Sequence, residues 1–523
     1  MRPRVLVIAL AEATFDLIQP MVKAGKLPAI SRMMTNGAWG KLQSQVPFVT
    51  PQMCGTVVTG RSPGQHGLMD FYQRGDDGTF RDTNGSDLLA PPIWRMLSER
   101  GIRCGILNAP FTYPPEKIDG FMISGEDAPG AHRSIASPSS LYDDIIKRFG
   151  RYPLKDTFPG GRKKEDYLSL ITADVQRQSE IYEHLLRTQQ WDFALMFFSQ
   201  TAMVQHYFWG DHESRDPANP FRGVLESAYV ALDAAIDRLS KAAGEFATVF
   251  VISDCGAGLL QSGVNINQQL ANEGLLYSKK PATGASSARP ERASLVERLR
   301  TSVQHYLQKD AFRWLYFAVN HYLRPLKVWI QGRLSGQDID WSRTKAYSRG
   351  QWGYVYVNLK GRDPHGIVNP GAEYEAVRDQ VIKSFETLVD PATGLTAATK
   401  VWKREELYRG PGVEFAPDLV IDWRDGAYMP NESSLGKSVF SQRMREYMNW
   451  PTTGSHRLHG VLVAAGPAIE AGTIVQGARI IDLVPTWLQL FGQAVPQELE
   501  GKVIGSLVGD RRSNAAHATA ATG

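Results

Sequence analysis

Short runs of consecutive apolar residues recur along the chain: RVLVIAL (4–10), RCGILNAP (103–110), WDFALMFFS (191–199), ATVFVISD (247–254) and GVLVAAG (460–466). Between them lie longer stretches whose apolar positions return near helical spacing. The runs are too short for helices and rich in β-branched residues, so each predicts a buried strand. Their alternation with helical segments predicts an α/β fold, a mostly parallel central sheet with helices on both faces. Several runs end in a small or polar residue just before a Gly, Ser or Pro loop. Open α/β sheets place their chemistry at such strand ends.

Two segments interrupt this pattern. Residues 130–190 open with a Ser/Pro-rich loop and pass into SLITADVQRQSEIYEHLLRTQQ, which has helical spacing; the second segment, about 280–340, starts with the connector SKKPATGASSARPER and becomes helical, basic and aromatic. Both are expected to form a helical cap over a pocket. Trp314, Tyr316, Phe317 and Trp329 leave open a second reading of the later segment, docking on a membrane surface. With these insertions, residues 1–505 are expected to make one α/β domain, and the small, polar stretch 506–523 a disordered tail.

Composition narrows the field. The chain has 523 residues, 43% of them hydrophobic, and a formal net charge of +4 from 58 basic and 54 acidic residues, with no long Lys/Arg block. Nucleic acid is therefore not an expected partner. Cys54, Cys104 and Cys255 are odd in number and far apart, which speaks against a disulfide framework and for a reducing, cytoplasmic location. The opening apolar run meets Glu12 and Asp16 too soon for a secretory leader, and no uncharged run approaches the roughly 20 residues a bilayer span needs.

Beyond these general features, specific motifs follow one another in order: VPFVTPQMCGTVVTGRSPGQHGLMDF, NAPFTYPPEKIDGFMISGEDAP, VQHYFW, VISDCGAG, WSRTKAYSRGQWGYVYVNLKGRDPHGIV, APDLVI, GSHRLHGVLVAAGP and DLVPTWLQLFG. The set resembles the type I phosphodiesterase/nucleotide pyrophosphatase family of the alkaline phosphatase superfamily, over nearly the whole chain. The resemblance implies hydrolysis of phosphoesters by a Thr or Ser hydroxyl beside two divalent cations, commonly zinc, each held by Asp and His. Carried onto this sequence, Thr50 takes the nucleophile position, with a helix N-cap as its other reading. Asp254 and Cys255 take an Asp and a His position of the first ion, whose remaining Asp reads Ala11. His206 and His456 take two positions of the second, whose Asp reads Ala202. Two carboxylates are thus replaced by methyl groups, and Cys255 is either a thiolate ligand or a small buried hydrophobe.

Glu12, Asp16, Asp211 and His212 lie near the affected motifs. Glu12 carries little weight at this stage, because adjacent strand residues face opposite sides unless the backbone turns there. His66 is expected to stabilise a loop, His459 to point outward, Asp482 to begin a helix and Tyr113 to shape a pocket wall. Three functional classes stay open: a phosphoester hydrolase with a reduced metal site holding zinc or another divalent ion; an enzyme using His206, His456, Cys255 or Glu12 in metal-independent acid–base or covalent chemistry; and a non-catalytic binding protein. The expected partner is a small molecule, a phosphoester or aromatic metabolite, with oligomeric state unassigned.

Overall fold

The computed structural model describes residues 2–74, 80–154, 164–279, 339–350, 352–430, 438–441, 452–467 and 469–508. All five apolar runs become strands of one nine-stranded sheet: β1 (Arg4–Leu10), β2 (Ala38–Gln43), β3 (Cys104–Ala109), β4 (Gly120–Ser124), β5 (Ala136–Ser137), β6 (Phe193–Phe198), β7 (Ala247–Ile252), β8 (His459–Ala465) and β9 (Thr473–Ile474). Their spatial order is β9-β2-β8-β7-β1-β6-β3-β4-β5. The centre, β7-β1-β6-β3-β4, is parallel; β8 runs antiparallel to both of its neighbours, and β5 is antiparallel to β4.

The two-residue period of each strand divides the core between the sheet's faces. Leu6, Ile8 and Leu10 of β1 join Ala194, Met196 and Phe198 of β6 on one face, whereas Val5, Val7 and Ala9 join Phe193, Leu195 and Phe197 on the other. Helices cover both. The first face receives α1 (Phe15–Lys23), α3 (Lys164–Thr188) and α5 (Val224–Ala243); the second receives α2 (Thr50–Thr59) and the C-terminal helix Leu483–Leu490. The expected architecture is present.

A second, antiparallel sheet stands beside the first, in the order Ala346–Ser348, Tyr354–Val357, Leu419–Trp423, Ala398–Lys403. The helix Ala372–Glu386 packs on it through Val377, Val381 and Phe385. Gln52, buried on α2, ties this small sheet to the main body by donating to the Tyr354 hydroxyl at 2.8 Å and to the Met69 carbonyl at 3.0 Å.

Residues 130–190 depart from the expected cap. They supply β5, which closes one sheet edge, and α3, which packs against α5 and buries Ile171, Val175, Ile181 and Leu185 in the main core. The helical periodicity is correct, but its apolar stripe faces the sheet layer. The proposed cap residues 280–338 and the tail beyond 508 lie outside the described residues. Among the described residues, no helix is long and apolar enough to cross a membrane.

Candidate functional site

The C-terminal ends of β1, β6 and β7 meet at one edge of the sheet, and the loops leaving them carry Glu12, α4 (Gln200–His212) and Asp254. The strand Gly454–Arg457 brings His456 to the same place by pairing with Gly256–Leu259 just beyond Asp254. Glu12 stands where the chain breaks from the strand pattern. Its φ of 59° is left-handed, so the alternation that would have turned it away from its neighbours ends before it is reached. Three contacts hold the turn in place. The Thr201 hydroxyl donates to the Ala11 carbonyl at 2.5 Å, the Gln205 amide to the Glu12 carbonyl at 2.9 Å, and the Glu12 N–H to Asp254 Oδ1 at 3.3 Å.

Oε1 of Glu12 lies 3.1 Å from Nε2 of His206 and 2.9 Å from Nε2 of His456. On the opposite side of each ring, Nδ1 faces a backbone carbonyl: that of Gly454 at 3.0 Å for His206, and that of Phe48 at 2.7 Å for His456. A carbonyl only accepts, so each Nδ1 must carry the proton. In a neutral imidazole this leaves a lone pair on Nε2, and both lone pairs then point at a carboxylate oxygen. The arrangement is satisfied either by protonating the rings or by a cation among the three atoms. The second pattern is the one metal-ligating histidines adopt, with the distal N–H anchored on a carbonyl.

The three donors lie within 4.8 Å of one another. Ligands about 2.0–2.1 Å from a tetrahedral ion stand roughly 3.3 Å apart, so the cluster is close to the size a cation needs. Among the described residues it is the one group of three or more such donors that converges closely enough to hold a metal. Its other carboxylate oxygen, Oε2 of Glu12, is buried without a hydrogen-bond partner.

Electrostatics agrees with the geometry. Burial works to raise the Glu12 carboxyl, but the facing imidazoles outweigh it and hold the group well below the usual carboxylate range. Burial works to lower His206, and the charge of Glu12 outweighs that and raises it. Gly454 permits the close approach: a Cβ there would stand 2.2 Å from the Gln205 carbonyl oxygen, inside the helix that presents His206.

The rest of the expected site is arranged differently. Asp254 is buried, and burial, reinforced by the charge of Glu12, pushes its carboxyl up to about 6. Cys255 belongs to the apolar core against β8, and burial followed by the Asp254 charge pushes its thiol far up, so it is held as S–H. Neither residue, expected at a separate ion from His206 and His456, is among the three converging donors. Ala11 and Ala202, where the family resemblance led to an expectation of Asp, are buried in that same core. Thr50 is the first residue of α2 rather than its cap, which is Val49. One turn on, Cys54 lines a small apolar cavity with Asp254, placing α2 over the end of β7.

Glu12 is the member of the cluster that strand periodicity discounted, and the available signal was the break after Leu10 into Ala-Glu-Ala-Thr, where Thr14 caps α1. The neighbouring candidates do not converge on the cluster. Asp16 is exposed in the first turn of α1, Asp211 pairs with Lys164, His212 packs on Trp209, and His459 is exposed at the start of β8. Asp482 accepts from the Arg479 backbone at a helix start, as expected.

The profile of the type I phosphodiesterase/nucleotide pyrophosphatase family matches residues 5–456, a span running from the first strand to the second histidine of the cluster. The chain belongs to that family. Phosphonoacetate hydrolase from Sinorhizobium meliloti in complex with phosphonoformate is similar in structure, with 14% identity and a TM-score of 0.54 over 92% of this chain and 94% of that one. Human ectonucleotide pyrophosphatase/phosphodiesterase 5 is similar at 13% identity and a TM-score of 0.50, covering 97% of this chain and 99% of its own. These likenesses show the shared alkaline phosphatase-like fold. No curated protein sequence matches. As a type I phosphodiesterase/nucleotide pyrophosphatase family member, the chain places Glu12, His206 and His456 at the strand ends where this fold concentrates its chemistry.

Proposed function

We propose that this family member is a phosphoester hydrolase working with one divalent cation, zinc or a similar ion, held by Glu12, His206 and His456. The observation that carries the reading is the anchoring of both Nδ1–H groups on backbone carbonyls, which turns two Nε2 atoms and one carboxylate oxygen toward a common point. A cation there would supply Lewis-acid stabilisation of charge on a phosphoryl group. Glu12 takes over, from the end of β1, the carboxylate role that Ala202 cannot fill on α4.

Thr50 is the proposed nucleophile. It opens a ten-residue helix whose first-turn N–H groups favour an anion, and the loop before it is tied to the cluster through the Phe48 carbonyl and His456. Asp254 fixes the Glu12 backbone and sits beside α2 with a carboxyl that burial and the Glu12 charge push up to about 6. The substrate class is a small phosphoester, whose phosphoryl oxygens are shared by the phosphonates named for the Sinorhizobium meliloti hydrolase although those carry a C–P bond. Three unpaired cysteines favour a reducing compartment, which cell fractionation would test.

The test is metal analysis of the purified protein coupled to cleavage of aryl phosphate mono- and diesters with added zinc or manganese. About one ion per chain is expected, with cleavage lost in Thr50→Ala while the ion is retained. Absence of both bound metal and metal-stimulated cleavage would overturn the reading. It would instead favour acid–base use of a doubly protonated His206/His456 pair around Glu12.

A further inference from the structure

The left-handed turn that carries Glu12 is costly for a residue with a Cβ, and such a conformation persists only where its surroundings hold it. One further contact on this turn starts from the N–H of Thr14. As the cap of α1, Thr14 has no partner for that group within the helix, and it donates to the Tyr229 hydroxyl on α5 at 3.1 Å. The hydroxyl oxygen is the acceptor there, so its proton is directed to a second neighbour, Oε1 of Gln205, at 3.0 Å. The amide nitrogen of the same side chain donates to the Glu12 carbonyl at 2.9 Å. Both ends of this relay are backbone groups whose roles cannot reverse, an N–H at Thr14 and a C=O at Glu12. The direction of every hydrogen bond between them is therefore fixed, and the relay closes a loop across residues 12–14 through two side chains.

Two features separate the relay from ordinary core hydrogen bonding. It is sealed: Gln205 is 0%, Tyr229 1% and Thr14 4% exposed, so water cannot replace a bond that is lost. Burial, aided by the charges of Glu12 and Asp16, outweighs the lowering effect of the Thr14 N–H and pushes the Tyr229 hydroxyl up, which keeps it a donor. The relay also ends on the site. Gln205 and His206 are consecutive on α4, and both grip Glu12, Gln205 by its carbonyl and His206 by its carboxylate at 3.1 Å. One helix thus holds the backbone and the side chain of the same residue, and Tyr229 fixes the amide that does the first of these.

We propose that Tyr229 is a positioning residue for the reaction: through Gln205 and Thr14 it sets the turn that aims the Glu12 carboxylate at His206 and His456. The role rests on the reading of those three side chains as a cation site. Tyr229 is not among the converging donors itself. Without its hydroxyl, the Thr14 N–H and Gln205 Oε1 both lose this partner, and the strained turn relaxes to satisfy them.

Tyr229→Phe keeps the buried ring and removes the hydroxyl. Zinc affinity of the full chain, measured by competition with a chelator, is expected to fall about 10–100-fold, the usual range when a group behind a ligand is lost. Gln205→Met should do the same, and the double variant should lose no more than either single, because the two side chains act in one relay. The visible absorption of the cobalt-loaded protein, which reports ligand geometry, should shift in Tyr229→Phe. In the metal-free crystal structure of that variant, the Glu12 carboxylate should have left at least one of the two imidazoles. Tyr182→Phe is the control. It removes a similarly buried hydroxyl on α3, one that donates to the Phe197 carbonyl at 3.2 Å, and should lower unfolding stability without changing zinc affinity or the cobalt spectrum.

An unmoved Glu12 in the Tyr229→Phe structure would overturn the proposal. So would losses that multiply in the double variant, or an equal loss of zinc affinity in Tyr182→Phe, which would reduce the effect to general destabilisation. If Tyr229→Phe fails to fold, Gln205→Met carries the same measurements. A wild-type chain that binds no zinc, with Glu12 displaced in Tyr229→Phe, would keep the positioning role and remove the cation reading. A wild type that binds zinc, with affinity kept within about twofold in folded Tyr229→Phe, would do the reverse.

Discussion

The two halves of the candidate site lie at the same sheet edge yet have opposite characters. On the side of α4 and the strand Gly454–Arg457, two imidazoles and a carboxylate converge, with each ring held by a carbonyl behind it. On the side of α2 and β7, Asp254 stands next to a protonated, core-bound thiol, and the surrounding positions are methyl groups or apolar side chains. Orientation from behind makes the difference. A donor whose far side is anchored is committed to face the site, whereas Cys255 has a sulfur that apolar packing satisfies as it is.

The sharpest way to break this comparison is Glu12→Gln, which keeps the shape and the left-handed turn while removing the charge. Loss of an outer-shell partner commonly lowers metal affinity roughly 10–100-fold, so loss of a direct carboxylate should exceed that range. Competition titration with a chelator measures it. Unchanged affinity would show that the three converging donors are not where the metal binds.

His66 extends the contrast to an imidazole with no nitrogen to spare. Its Nδ1 accepts from the Leu68 N–H at 3.2 Å, so Nε2 carries the proton and donates to the Thr56 hydroxyl, also at 3.2 Å. Burial pulls its pKa from 6.5 down to about 3. The folded protein therefore keeps it neutral in a range where the unfolded chain takes up a proton, and stability must fall as pH drops from about 6.5 toward 3. At about 1.4 kcal/mol per pH unit, the loss by pH 5 is on the order of 2 kcal/mol. Urea unfolding at pH 7 and pH 5 should show that difference, with a flatter dependence in His66→Gln. An equal slope in the variant would mean that other groups govern the acid limb.

The smallest expected effect belongs to Cys255→Ala. Removing one buried sulfur should cost about 1 kcal/mol in unfolding free energy and leave metal affinity within about twofold. A tenfold weakening of metal binding in the folded variant would return Cys255 to the ligand set and erase the distinction between the two halves.

What sequence could reveal follows the same division. His206, His456 and Asp254 were legible because each sits in a motif that also defines a local element: a helix turn, a paired strand and a strand end. The alternation of apolar runs with helical segments likewise foretold helices on both faces of the sheet. Glu12 was missed because alternation holds only while the backbone stays extended, and the left-handed turn there re-aims the side chain. The helix in 130–190 was legible from its spacing, but periodicity reports only that a stripe is buried, not against which layer. The small sheet was hard to anticipate for another reason: its first two strands have only three and four residues, giving little period to read.

The pairing of Glu12 with His456 also has a consequence for biogenesis. One residue lies at the end of the first strand and the other in the short strand before β8, so the ligand set spans nearly the whole chain. During synthesis the amino-terminal half can form β1 and the other parallel strands while holding two of the three donors, Glu12 and His206. A polypeptide that stops before Gly454 lacks the third donor of the cluster. The cation proposed for this cluster could be held by all three donors only once the strand Gly454–Arg457 has been made.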